Sequence, residues 1–285
     1  MMDKNKNFFG KNPLIIYFLL TIAITWGGII SAIGMDGIPG SRAIPDEQMP
    51  ILYAVTLLGP SVAGLLSIAL FDGRDGFRSL TTRLRNWRAG LRWYAVALLT
   101  APLLITALLY ILSLTSPVYL PALFTETNKA GLLLTGIVMG LVVGFFEELG
   151  WTGFAVPKLR QKYSVMKSGI ILGLLWGLWH LPLFVASTNS SGSIPPVIYL
   201  LILLFSFLPV YRILMVWVYD STESLLLMIL MHAPLSASQL LLIPAELSGV
   251  QLVIYDLSFA IILWLIVGVI SISSKRQQFA MKKWE

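Results

Sequence analysis

Apolar residues run along this chain in blocks too long and too unbroken for the core of a water-soluble domain. Eight such blocks cover about 13–34, 51–71, 93–113, 130–151, 165–184, 197–218, 224–241 and 250–271. A helix crosses a bilayer with about 17–25 mostly apolar residues, and the seventh block is at the short end of that range. The pattern predicts an all-α, polytopic membrane protein with about eight transmembrane helices in a single membrane domain, 1–285. The first block is longer than the apolar core of about 7–15 residues in a cleaved signal peptide, so it is read as a retained first helix. Between the second and third blocks the pattern changes. In DGRDGFRSLTTRLRNWRAGLR (72–92), Phe77, Leu80, Leu84, Trp87 and Leu91 recur at helical spacing and arginines fill the other faces. This predicts an amphipathic helix lying on the inner leaflet, with a plain basic loop as the simpler alternative. No internal repeat is evident.

Composition agrees with this division. Of the 285 residues, 57% are hydrophobic and 12% charged, and the mean hydropathy is +0.82; soluble domains carry about 25% charged residues. There is no cysteine, which excludes disulfides, thiolate metal sites and a cysteine nucleophile. The net charge of +6 is explained by membrane anchoring without an acidic or nucleic-acid partner. With both ends in the cytoplasm, the inner segments hold Lys4, Lys6 and Lys11, then Arg74, Arg78, Arg83, Arg85, Arg88 and Arg92. They also hold Lys158, Arg160, Lys162 and Lys167, and finally Lys275, Arg276, Lys282 and Lys283. The outer loops hold only Arg42 and Lys129, and Arg212 falls near the inner end of the sixth block. Such an asymmetry fixes orientation. Short loops and the lack of an accessory domain point to a bacterial plasma membrane.

The exceptions to apolarity are the candidate chemistry. Both histidines of the chain lie in apolar blocks, His180 in GLLWGLWHLPLF and His232 in LLLMILMHAPLSAS, and the pair Glu147-Glu148 closes LVVGFFEELGW. An ionisable group at the centre of a span costs about 2.5–3.5 kcal/mol or more and is a functional candidate by default. Adjacent residues on a helix point about 100° apart, so one glutamate can face a cavity while the other braces a neighbouring helix. Trp176 and His180, and likewise His232 and Ser236, are four apart and share a face. From an assumed connection near 161, a rise of about 1.5 Å per residue puts Glu147 and His180 within about 8 Å in depth, with His232 about 12 Å deep. One pocket in the inner half of the bilayer can hold all three, provided the helices adjoin.

A carboxylate with a histidine can activate water, and a second histidine with a hydroxyl or amide donor can stabilise an oxyanion. Alternatively, Glu147, His180 and His232 match the ligand set of a catalytic zinc with an open position, leaving the other glutamate as base. No HExxH, GxSxG or P-loop motif is present. The simpler readings are glutamates snorkelling from a helix end to the interface and histidines that are hydrogen-bonded packing residues. The tryptophans, including Trp151, Trp179 and Trp217, read as belt or packing residues, and Met228 and Met231 as core.

At these positions the chain resembles the CAAX protease and bacteriocin-processing family of intramembrane proteases, the Rce1-type or ABI family, over about 90–240. The family's helix-borne motifs are EExxxR, FxxxH and HxxxN. Here the first reads Glu147-Glu148-Leu149-Gly150-Trp151-Thr152, followed by GFAVPKL. The second reads Trp176-Gly177-Leu178-Trp179-His180. The third reads His232-Ala233-Pro234-Leu235-Ser236, preceded by VWVYDSTESLLLMIL. The resemblance implies that Glu147 is the general base, with His180 beside it. It gives His232 and the fourth motif position, Ser236, the oxyanion, and makes Glu148 structural, tied to the motif arginine. It also implies a membrane-associated peptide or protein substrate, a prenylated CAAX end or a bacteriocin-type leader, cut near the cytosolic face. Within the family zinc and a glutamate-activated water are both proposed.

Two positions depart from the motifs. Thr152 stands for the arginine, so Glu148 needs another partner, such as Arg212, or must stay protonated. Ser236 stands for the asparagine and reaches less far; one lost oxyanion donor costs about 10²–10³ in rate. Trp176 for phenylalanine reads as a mild change. The leading expectation is an intramembrane endopeptidase. The alternative is a catalytically weak or inactive relative that acts as a membrane binding or immunity partner, and a proton-coupled transporter is the poorer third.

Overall fold

The computed structural model describes residues 12–34 and 48–273. The basic residues Lys4, Lys6, Lys11, Arg42, Lys275, Arg276, Lys282 and Lys283, used above to orient the chain, lie outside these. The described residues form helices α1 (Pro13–Ile33), α2 (Met49–Phe71), α3 (Gly73–Leu84), α4 (Leu91–Ser113), α5 (Lys129–Gly150) and α6 (Val156–Arg160). There follow α7 (Val165–Trp179), α8 (Pro196–Phe205), α9 (Leu208–Thr222), α10 (Leu225–Leu242) and α11 (Gly249–Ser273), with short helical turns between. No strand occurs among them. Seven segments are long and apolar enough to cross a membrane, and eight if the bent pair Val165–Trp179 and Leu181–Ser190 counts as one span. The protein is therefore an all-α polytopic membrane protein, as the apolar blocks predict.

Two blocks and the amphipathic segment between the second and third differ from their predicted form. The fifth is not one continuous helix, because its axis turns by 51° at His180. Pro182 follows, and its ring nitrogen cannot donate to Leu178, four residues back. The sixth is broken between α8 and α9, where Pro209 likewise cannot donate to Phe205. The amphipathic helix α3 stops at Leu84, short of 92, and Trp87 and Leu91 are exposed. The chain leaves the helix because Asn86 is pinned to the α9–α10 turn. Its side-chain Nδ2 donates to Thr222 O at 2.9 Å, and its carbonyl accepts from Ser224 Oγ at 2.6 Å.

Two rows of glycine set the central packing. Gly136, Gly140 and Gly144 form one stripe of α5 against α10; a Cβ on Gly140 would lie 2.4 Å from Ala233 O, and one on Gly144 2.9 Å from Ile229 O. Gly169, Gly173 and Gly177 form a stripe of α7, where a Cβ would meet Ile213 Cα at 2.5 Å, Pro209 Cα at 2.3 Å and Leu204 O at 2.2 Å. Small residues let helix backbones approach in lipid, where no hydrophobic force drives helices together. The first stripe brings the end of α5, with its glutamates, beside α10 with His232. The second brings α7, with Trp176, beside α9 with Arg212.

Candidate active site

The glutamates sit where α5 changes pitch. Residues Trp151–Ala155 continue it as a π-helix before α6 resumes. Pro157 supplies a local cause. It has no N–H to give Gly153 O in an α-helical bond or Thr152 O in a π bond. Arg83 of α3 donates to both, Nη1 to Thr152 O at 3.1 Å and Nη2 to Gly153 O at 2.7 Å. Sequence reading placed Arg83 among the residues that merely face the inner leaflet; it is a brace for the turn that carries the glutamates.

Glu147 and Glu148 are 3% and 0% exposed, which removes the reading of a helix end snorkelling to the interface. Glu147 Oε2 accepts from two indoles, Trp176 Nε1 at 2.8 Å and Trp151 Nε1 at 3.1 Å. Trp151, read from sequence as a packing or belt residue, and Trp176, read as a mild replacement of the motif phenylalanine, are both buried donors to this carboxylate. Trp176 is more than a mild replacement of phenylalanine, because a phenyl ring has no N–H to give. The spacing of Glu147 to Trp151, one helical turn, is the signal that sequence reading passed over.

Glu148 points the other way. Its Oε2 accepts from the Thr152 hydroxyl one turn on. Its Oε1 accepts from Arg212 Nη1 at 2.7 Å and faces His232 Nδ1 at 2.8 Å. Of the two expectations for Glu148, the Arg212 partner is the one found. Arg212 is fully buried, and its guanidinium carbon lies 4.2 Å from the centre of the Trp176 ring, a cation–π contact. The arginine missing from the first motif is thus supplied from α9, and Thr152 in its place also bonds to Glu148.

The histidines differ in their ties. His232 is buried on α10, with Nδ1 on Glu148 and Nε2 3.9 Å from Glu147 Oε2. A carboxylate paired with a guanidinium accepts, so His232 Nδ1 carries a hydrogen. His180, at the bend after α7, has Nδ1 2.8 Å from Trp176 O. A carbonyl only accepts, so the hydrogen again sits on Nδ1 and Nε2 is left for the cavity. The rings of Trp176, Trp179 and Phe184 flank it, with centroids 5.5, 4.6 and 5.6 Å away. Glu147, His180, His232 and Ser236 line one cavity of about 460 Å³, with Trp176, Phe184 and Phe207 among its walls. Glu148 lies behind it. His180 makes no ion pair with either glutamate.

The zinc ligand set Glu147, His180 and His232 is not assembled. Among the described residues no group of three or more His, Cys, Asp or Glu side chains converges so as to hold a metal ion. The ties of His232 Nδ1 to Glu148 and of Glu147 Oε2 to two indoles leave His232 Nε2 and Glu147 Oε1 open, but these do not come together with His180 as a metal-binding group. These donors do not fit a metal, and no step below passes through one.

Residues 129–237 match the family model described as Type II CAAX prenyl endopeptidase Rce1-like. That segment is similar to the Rce1-like family. A curated relative, CAAX prenyl protease 2 of Methanococcus maripaludis, is 34% identical over 104 residues, which is 36% of this chain. The match spans 38% of that relative's length. The Rce1-like segment contains Glu147, Glu148, Thr152, Trp176, His180, Arg212, His232 and Ser236, so every member of the cluster just described falls inside it. Gln239 and Asp256, which line the same cavity, fall outside.

Proposed function

We propose that the protein is an intramembrane endopeptidase that hydrolyses a peptide bond with a water activated by Glu147. The observation that carries this reading is the opposite holding of two adjacent carboxylates. Glu148 is consumed by Arg212, Thr152 and His232, whereas Glu147 is fixed at one oxygen by two indoles and faces a cavity lined by both histidines. In this reading a water in the cavity gives its proton to Glu147 while its oxygen attacks the carbonyl carbon of the substrate. The negative charge that develops on the carbonyl oxygen is met by the Ser236 hydroxyl and by His232, which in this reading is an imidazolium with Nδ1–H held by Glu148 and Nε2–H free to donate. The carbon–nitrogen bond then breaks, and the proton held by Glu147 passes to the leaving nitrogen, giving a carboxylic acid and an amine. His180 Nε2 faces the same space and can orient the water.

The substrate in this reading is a membrane-associated peptide or protein, cut near the cytosolic face of a bacterial plasma membrane. A prenylated CAAX end, of the kind named for the relatives, is one source; no residue of the cavity singles it out. Ser236 favours a second reading, a slow or inactive binding partner, because its hydroxyl reaches less far than an asparagine amide. The support that Arg212 restores to Glu148 favours the enzyme. The test is cleavage of a quenched membrane-peptide library by protein in nanodiscs. Glu147→Ala, His180→Ala and His232→Ala are each expected to abolish cleavage while the protein stays folded. Cleavage that survives in all three would remove the protease reading.

A further inference from the structure

The cavity extends well past the glutamate–histidine cluster. On α10, His232, Ser236 and Gln239 are spaced i, i+4 and i+7 and share one face, and all three line the cavity. The helical rise puts Gln239 about 10 Å along the axis from His232. Facing this part of the cavity from α11 is Asp256, the one acidic residue of that span. It is 4% exposed, and among the described residues it has neither a hydrogen bond nor an ion pair. Gln239 Nε2 is buried without a hydrogen bond of normal geometry among the described residues, with the buried Tyr255 hydroxyl as its polar neighbour. The walls nearby are apolar, from Leu240, Ile243 and Leu252.

The contrast with the other buried acids is direct. Glu148 has a guanidinium, a hydroxyl and an imidazole, and Glu147 has two indoles. Among the described residues Asp256 has no such partner, although a buried carboxyl left alone is unfavourable. A carboxyl set in the wall of an apolar cavity is complementary to an incoming cation, which brings both charge and N–H donors. Lysine and arginine carry that charge on an apolar stem, which can lie along walls such as these. We propose that Asp256, with Gln239 beside it, forms a subsite for a basic side chain of the bound peptide. An extended chain advances about 3.3 Å per residue, so this side chain belongs about three residues from the bond presented to Glu147. The proposal rests on the endopeptidase reading for the nature of its ligand.

The test reads binding and cleavage separately. Fluorescein-labelled apolar decapeptides, each with one lysine or one norleucine at a scanned position, are titrated against the full chain in nanodiscs by fluorescence anisotropy, and their cleavage is followed in parallel. At one position lysine should bind about tenfold tighter than norleucine, the worth of a charged hydrogen bond. Asp256→Asn should remove that preference without changing the affinity for the norleucine peptide, and Asp256→Glu should keep it. No lysine preference in the wild type, or one that persists in Asp256→Asn, overturns the subsite whether or not peptides are cut. A lysine preference that vanishes in Asp256→Asn while no peptide is cut leaves the subsite standing and favours the binding-partner reading over the endopeptidase.

Discussion

At the scale of single residues, the site is a set of commitments. Trp151 and Trp176 hold one oxygen of Glu147, and Arg212, Thr152 and His232 hold Glu148. Trp176→Phe keeps an aromatic ring but deletes a donor to a carboxylate, an interaction worth about 1.5–3 kcal/mol. It should slow peptide cleavage by about tenfold or more, as read in initial rates on a fixed peptide with protein of unchanged elution volume. Arg212→Met leaves Glu148 buried without its cation and should destabilise the protein by about 3–5 kcal/mol. Pairing it with Glu148→Gln should recover most of that loss, because the uncompensated charge goes too; thermal unfolding of the three variants in detergent measures both effects. Ser236→Asn should keep or raise activity if Ser236 meets the oxyanion, and a large loss would argue against that role. Glu147, Glu148, His180 and His232 were legible in the sequence because ionisable groups in apolar blocks stand out. Arg212 was legible only as one of two alternatives, since the rotation of α9 about its axis is not written locally. Trp151 was passed over because an indole in a membrane helix has an ordinary explanation that needs no partner, and Trp176 was seen as a motif position but not as a donor to Glu147.

At the scale of elements, glycine stripes and proline breaks place those residues. Gly140 sits so close to α10 that any side chain must displace backbone. Gly140→Leu should therefore separate the glutamates from His232, lowering the unfolding temperature and abolishing cleavage together; a well-folded, active variant would contradict the role given to this stripe. Both stripes are plain in the sequence as Gly-xxx-Gly-xxx-Gly, yet a count of apolar blocks does not see them, because glycine changes neither length nor hydropathy enough. The bends at His180 and before Pro209 were not read either, because a block's apolar length does not register where a proline breaks it. The π turn was not legible, since its cause combines Pro157 in the chain with Arg83 from a distant helix. Arg83→Ala removes both donors to Thr152 O and Gly153 O. It should reduce activity more than Arg78→Ala, a neighbour on α3 with no such contact, when the two are compared in the same cleavage assay.

At the scale of the whole molecule, apolar length alone predicted the architecture, and the seven spans plus one bent pair agree with the eight blocks. Orientation rests on the distribution of lysine and arginine, part of which lies outside the described residues. The chain has no cysteine, so single cysteines can be introduced without background. Lys162→Cys should react with a membrane-impermeant thiol reagent only from the cytoplasmic side, and Lys129→Cys only from the outside; the reverse pattern would invert the molecule and put the cleft on the other face. The central claim is that Glu147 takes the proton of the attacking water. Its most direct test is the single-turnover rate of peptide cleavage in nanodiscs by Glu147→Gln, which keeps the size of the side chain and an oxygen for the two indoles but cannot act as the base. The account predicts a fall of at least about 10²-fold with peptide binding retained. A rate within a few fold of the wild type would contradict it.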